Sequence, residues 1–235
     1  GIPDKVEVVQ KALEKSITVI SEIEFGSRFT KAKLICITGS NGKTTTTLLT
    51  HHILKKAGLN VGIAGNVGDS FALQVANEDY DYYILELSSF QLDGIKKFKA
   101  DIAILLNITP DHLDRYDYKF ENYVHSKFKI TDNQTKEDFF IYCKDDKAIT
   151  DAFANYDLAA KQLPFSIKEE VSEGAFLNEK EEIVFNTKNQ PQTMSIHDLA
   201  LNGKHNIYNS MAAGIASKVL DLRKEIVRES LTDFQ

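Results

Sequence analysis

The chain has 235 residues, 43% of them hydrophobic and 26% charged, which supplies one large or two modest cores and excludes a disordered chain. Its formal net charge of −6 argues against unspecific binding to nucleic acid or to an anionic membrane, while phosphate ligands held by local backbone dipoles remain open. The two cysteines, Cys36 and Cys143, fall in apolar runs and read as small core residues of a reducing compartment. No run reaches the length of a membrane span and no signal-peptide pattern opens the chain, so a cytoplasmic protein without membrane insertion is expected.

Gly1, Ile2 and Pro3 lack a start methionine and read as the middle of something longer. Val6, Val9 and Leu13 have helical spacing, residues 17–20 read as a short strand, and 22–28 as one or two helical turns. One such αβ unit cannot bury both its faces, so residues 1–30 are expected to be the end of a preceding domain and its connector, with the main domain at 31–235. That domain opens with an apolar strand at 34–37. Thr38-Gly39-Ser40-Asn41-Gly42-Lys43-Thr44 follows, then a helical pattern to residue 57 that Gly58 stops. Further strands are predicted at 61–64, 82–87, 102–108 and 139–143, and helices at 70–76, 120–130 and 147–154. From 162 to 196 four short strands separated by polar turns suggest an antiparallel edge ribbon. A helix from about 205 to 220 carries Ile207, Met211, Ile215 and Val219 on one face, and a short helix covers 224–232. The expected fold class is α/β: a mostly parallel P-loop-type sheet with helices on both faces and a small antiparallel β ribbon.

Strand, glycine loop, Lys-Thr and helix is the layout of a phosphate-binding loop. The backbone amides of Gly39, Ser40, Asn41 and Gly42 would close around phosphate oxygens, and the new helix would add its positive end. Lys43 would reach the β- and γ-phosphates and the Thr44 hydroxyl would sit on Mg²⁺. The common pattern G-x-x-x-x-G-K-[ST] is not met, because Ile37 stands where its first glycine would be. In parallel sheets ligands sit beyond the carboxyl ends of the strands. Three further polar features fall there: Gly65-Asn-Val-Gly68, Glu86, and Asp111-His112. Glu86 closes an apolar run, so its carboxylate is either an exposed strand end or a cation ligand, and Mg²⁺ is the economical cation. His112 stands out by position from His51, His52, His125 and His197, although imidazole is an unusual Mg²⁺ ligand. Lys127, by its residue pattern, is a solvated lysine. Asn206 and Asn209, one turn apart, would either cap the late helix or read an adenine edge.

Taken together, Thr38-Gly-Ser-Asn-Gly-Lys-Thr44, Gly65-Asn-Val-Gly68, Glu86-Leu-Ser-Ser-Phe-Gln-Leu92 and Asp111-His-Leu-Asp-Arg-Tyr116 resemble the Mur ligase family. These are ATP-dependent ligases of bacterial cell-wall precursor synthesis, and the likeness is to the branch that adds D-glutamate to UDP-N-acetylmuramoyl-L-alanine. The resemblance implies three domains in the whole protein: residues 1–30 as the tail of the uridine-binding domain, 31–235 as the ATP-binding domain, and a ligase domain outside these residues. It implies nucleotide contacts from Gly39, Ser40, Asn41, Gly42, Lys43, Thr44, Thr45 and Asp111, with Asn206 and Asn209 facing adenine beside His205. It implies one Mg²⁺ on Thr44 and Glu86 and a second on His112 and a carbamylated Lys127. Lys43, His112 and Lys127 would be the catalytic residues, and Asn66 and Ser88 would contact the muramoyl substrate. A monomer is expected, inactive as a ligase without the other domains. The alternatives are a nucleotide-driven switch, which gives no reason for Gly65–Gly68 or Ser88-Ser-Phe-Gln, and the folate-polyglutamylating branch of the superfamily, which has a related loop but different strand-three chemistry.

Overall fold

Strand β1 (Lys33–Thr38) is buried at every position but its first, which requires a central place in a sheet covered on both faces. A computed structural model describes residues 6–187 and 190–235 and gives β1 that place. The other strands are β2 (Val61–Gly65), β3 (Tyr82–Glu86), β4 (Ile102–Leu105), β5 (Phe139–Cys143), β6 (Lys161–Ser166), β7 (Gly174–Leu177), β8 (Glu182–Thr187) and β9 (Gln190–Ser195). They form one nine-stranded sheet in the order β2-β3-β1-β4-β5-β6-β7-β8-β9. Every pair from β2 to β7 is parallel, and only β7–β8 and β8–β9 are antiparallel. The chain starts at β1, moves outward to β2, returns to β3, and then crosses to β4 on the other side. The reversal of strand order therefore lies at β1, between β3 and β4, where open α/β sheets form their ligand crevice.

The helices are α1 (Glu7–Glu14), α2 (Glu22–Ser27), α3 (Lys43–Lys56), α4 (Phe71–Asn77), α5 (Ser89–Asp93), α6 (Phe120–Phe128), α7 (Lys147–Ala152), α8 (Lys204–Val219) and α9 (Lys224–Asp233). Helix α8 packs on α3 and spreads across the sheet toward β8. Met211, Ala212, Ala213, Ile215 and Ala216 of α8 are fully buried, because small residues let the helix approach the strands closely. The core is continuous, from Ile23 on α2 to Leu231 on α9. Both cysteines are free and buried, and burial pushes the Cys143 thiol up to about 12, so neither is a reactive thiolate.

Four expectations need correction. Residues 17–20 form no strand; Ile17 is 56% exposed and no strand of the sheet runs beside it, so its alternating pattern has nothing to pair with. Strands β6 and β7 extend the parallel sheet, and the antiparallel ribbon is confined to β7–β9; strand direction depends on how the chain returns, which a short apolar run does not encode. Strand β4 ends at Leu105 rather than 108, freeing Asn107 for another use. Helix α5 lies in a stretch with no predicted element. Ser88 starts it through a capping box with Gln91, whose side chain accepts from the Ser88 amide at 3.0 Å.

Candidate active site

The loop between β1 and α3 is anchored from the neighbouring strand. The Ser40 amide donates to the Asn107 carbonyl at 3.0 Å. The Asn41 amide donates to Asn107 Oδ1 at 2.8 Å, and Asn107 Nδ2 donates to the Asn41 carbonyl at 2.9 Å. Ser40 Oγ donates to the Thr109 carbonyl and accepts from the Thr109 amide, both at 2.9 Å, with the Tyr123 hydroxyl 3.2 Å away. Gly42, at φ +82°, is the N-cap of α3 and offers no side chain to its first turn. A β-carbon on Gly42 would lie 2.6 Å from Asn209 Oδ1, so the position needs glycine both for its backbone and for its neighbour. The opening amides of α3 are left uncapped, in the arrangement that binds anions at helix starts.

Two lysines converge on this loop. Lys43 Nζ donates to the carbonyls of Gly39 and Ser40 at 2.9 and 3.0 Å. Lys127 Nζ, from α6, donates to the same Gly39 carbonyl at 2.9 Å and to Thr38 Oγ1 at 3.2 Å. Lys127 is only 2% exposed. Burial first, and the Lys43 ammonium second, push its pKa down to about 7 against the pull of Asp111, Asp93 and Glu86. Lys43 is itself lowered, by burial, with Glu86 and Asp111 opposing. The reading of Lys127 as a solvated lysine is thus overturned: α6 turns its inner face, with Tyr123 and Ser126, onto the end of β1.

Glu86 is 1% exposed. Its Oε1 accepts from Asn66 Nδ2 at 2.8 Å, and its Oε2 is buried with no hydrogen-bond partner. An ionised oxygen in that position is costly unless a cation meets it, so the donor set fits a divalent metal. Among the described residues no group of three His, Cys, Asp or Glu is placed to hold a metal. A site built on one carboxylate, a hydroxyl such as Thr44, waters and phosphate oxygens is the Mg²⁺ type rather than the zinc type. Thr44 is exposed and Thr45 half-buried at the start of α3. His112 has a left-handed backbone, φ 48°; its amide donates to Asp111 Oδ1 at 2.9 Å, and its ring lies 5.3 Å from that of Phe90.

The loop glycines, Lys43, Glu86, Asn66, Asp111, His112 and Lys127 therefore share one rim. Ser88 lies in the junction between β3 and α5 as the N-cap of α5, its hydroxyl engaged with Gln91. The late asparagines are not side-chain caps, because Gly203 is the N-cap of α8. Asn209 is 5% exposed and inserts beside the phosphate loop, with Thr46 Oγ1 3.1 Å from its Oδ1 and its own amide donating to Asn206 Oδ1 at 3.2 Å. His205 is exposed. Sequence reasoning missed Asn107 and Thr109, which shape the loop, and Asp93, which faces Lys127 electrostatically. The one signal was Asn107 at the mouth of a strand, masked by placing that strand's end too late.

Fold and site together define an α/β domain with a glycine loop of phosphate-binding layout, whose carboxyl-end rim also carries a buried carboxylate and a buried lysine. Residues 37–217 match the model of the Mur ligase middle domain, and the chain belongs to the Mur ligase family. It is 55% identical over all 235 of its residues to a protein of Christiangramia forsetii named UDP-N-acetylmuramoylalanine--D-glutamate ligase, covering 53% of that protein. A Bacteroides fragilis protein of the same name is 52% identical over the whole chain, which covers 52% of it. The chain thus spans about half the length of these relatives. Among solved structures, a UDP-N-acetylmuramate:L-alanyl-gamma-D-glutamyl-meso-diaminopimelate ligase from Neisseria meningitides matches 100% of the chain and 76% of its own, with TM-score 0.72 at 17% identity. MurF from Acinetobacter baumannii matches 91% of the chain and 48% of its own, with TM-score 0.67 at 20% identity. These two likenesses are of fold. No helix among the described residues is long and apolar enough to cross a membrane.

Proposed function

We propose that the chain is the ATP-binding part of a ligase that joins D-glutamate to UDP-N-acetylmuramoyl-L-alanine in peptidoglycan precursor synthesis, acting in the cytoplasm as a monomer. The observation that carries the nucleotide chemistry is the rim itself: an uncapped helix start, Lys43, and an unpartnered Glu86 oxygen side by side. The choice of substrates is supported by the names of relatives aligned along the whole chain. Residues 1–30 lead in from the uridine-binding domain, and 31–235 form the central domain.

In this reading the muramoyl carboxylate attacks the γ-phosphorus of ATP, ADP leaves, and an acyl phosphate forms. The D-glutamate amine then adds to the acyl carbon, and phosphate departs from the tetrahedral intermediate. The work of these residues is positioning and charge neutralisation. Loop amides 39–42 and the Lys43 ammonium hold phosphate oxygens, with Thr45 and Asp111 at the edge of the nucleotide site. Both lysines donate to the Gly39 carbonyl, which places their ammonium groups at the loop where incoming anions would arrive. Thr44 and Glu86 would hold one Mg²⁺, and His112 with Lys127 a second; when bound, these ions supply neutralisation of the triphosphate charge. An ammonium at Lys127 would repel a cation, whereas a carbamate there offers anionic oxygens, and burial beside Lys43 already disfavours the ammonium. Asn66 and Ser88 face the muramoyl substrate, and Asn206 and Asn209 serve the adenine end.

The test is phosphate release from ATP by the full-length protein. The ligase predicts release only with both UDP-N-acetylmuramoyl-L-alanine and D-glutamate present; release indifferent to both would favour a nucleotide-driven switch. The 235 residues alone are expected to bind MgATP without forming amide product.

A further inference from the structure

Helix α2 makes contacts that its six residues do not need for their own stability. Glu24 is 0% exposed. Its Oε2 accepts three successive backbone amides, Lys96, Lys97 and Phe98, at 2.9, 2.9 and 2.8 Å. Its Oε1 accepts from Arg28 Nε and Nη2 at 2.9 and 2.7 Å. Three consecutive amides around one oxygen form an anion nest, filled here by a residue more than seventy positions earlier. The Ser21 amide donates to the Gly94 carbonyl at 2.8 Å, and a β-carbon on Gly94 would lie 2.6 Å from the Ser21 nitrogen. Residues 94–98, which leave α5, are therefore held by α2 at two points.

The same helix turn holds a second loop. Glu22 Oε1 accepts from Ser70 Oγ at 2.7 Å and from the Ala72 amide at 2.5 Å. Ser70 caps α4, which follows the loop bearing Asn66. One short helix thus grips the exits of two rim loops, one carrying Asn66 and the other Ser88. Among the described residues none of its hydrogen bonds reaches Asn107 or Thr109, which hold the loop between β1 and α3 from just beyond β4.

We infer that α2 is a clasp setting the spacing of the Asn66 and Ser88 loops, with Glu22 and Glu24 as positioning residues for the muramoyl substrate and not for the nucleotide, an inference that rests on the ligase reading above. Glu22 is exposed, so Glu22→Ala leaves the core intact. In the full-length ligase it raises KM for the UDP-muramoyl substrate about tenfold, while KM for ATP stays within about twofold. Glu22→Gln, which keeps an acceptor oxygen, recovers part of that loss. Glu24→Gln shifts the same KM in the same direction at a temperature where a melting curve shows it folded. Unchanged KM for the muramoyl substrate in Glu22→Ala, or an equal rise for both substrates, overturns the clasp. A wild-type enzyme whose phosphate release ignores the muramoyl substrate overturns the ligase reading instead, and is scored before the variants.

Discussion

The two ends of the same strands treat their polar side chains differently. At the amino end, Lys99 lies between Asp101, at 2.9 Å, and Asp138. Asp101 accepts from the Leu34 amide at 2.8 Å and Asp138 from the Thr135 amide at 2.7 Å. Gln134 donates to the Ala100 and Phe139 carbonyls, both at 3.0 Å, leaving its own Oε1 as a buried oxygen without a partner. Burial pulls Lys99 down, but Asp138 and Asp101 carry it above its ordinary range. At the carboxyl end two lysines lean on one carbonyl and both are lowered, while a buried carboxylate keeps an unpaired oxygen. The first network is nearly closed and is explained by folding. The second is open, the pattern expected of a site that a ligand completes.

The sharpest way to break this contrast is at Lys127. Lys127→Ala is expected to slow the full-length enzyme by about 10²–10³-fold, with partial rescue by a small added carboxylate; an unchanged steady-state rate would remove Lys127 from the site. Glu86→Gln comes next. It keeps an acceptor for Asn66 but removes the carboxylate, so the ligand-free protein keeps its stability in denaturant unfolding within about 1 kcal/mol, while Mg²⁺-dependent nucleotide binding measured by calorimetry weakens. At the closed end the signs reverse. Lys99→Met leaves Asp138 buried beside no cation, costs about 1–2 kcal/mol because the site is only part-buried, and leaves nucleotide affinity as it was.

The smallest effect concerns acid. Burial alone would raise the Glu24 carboxyl, but the amides of Lys96, Phe98 and Lys97 together with Arg28 hold it below its ordinary range. A folded-state pKa below the unfolded value, about 4.3, stabilises the fold above that pH and is lost as pH falls through the folded pKa. Melting temperature followed from pH 6 to 3 should therefore fall more steeply in the wild type than in Glu24→Gln.

Much of the architecture was legible, since β1, β5 and the helix after the glycine loop announce themselves by unbroken apolar runs and by Gly58. So was the convergence of polar residues, because a parallel sheet sends every strand end to the same rim. Lys127 was not legible from its neighbours: no periodicity reveals that the face of α6 bearing Tyr123 and Lys127 turns inward, and only the family resemblance pointed to it. The direction of β6 and the unpaired stretch at 17–20 escaped for a shared reason, since both depend on which strand lies alongside. Glu24 escaped because an acid four residues before an arginine reads as an ordinary helix-surface pair.

Asn107 carries a consequence of its own. Its side-chain amide trades two hydrogen bonds with the backbone of Asn41, imitating one more rung between β1 and β4 after both strands have ended. The loop between β1 and α3 therefore takes its placement from a strand reached only after three intervening helices and two other strands. Inserting or deleting one residue between 101 and 107 would displace the loop as surely as editing the loop itself, even though none of the altered positions faces a phosphate.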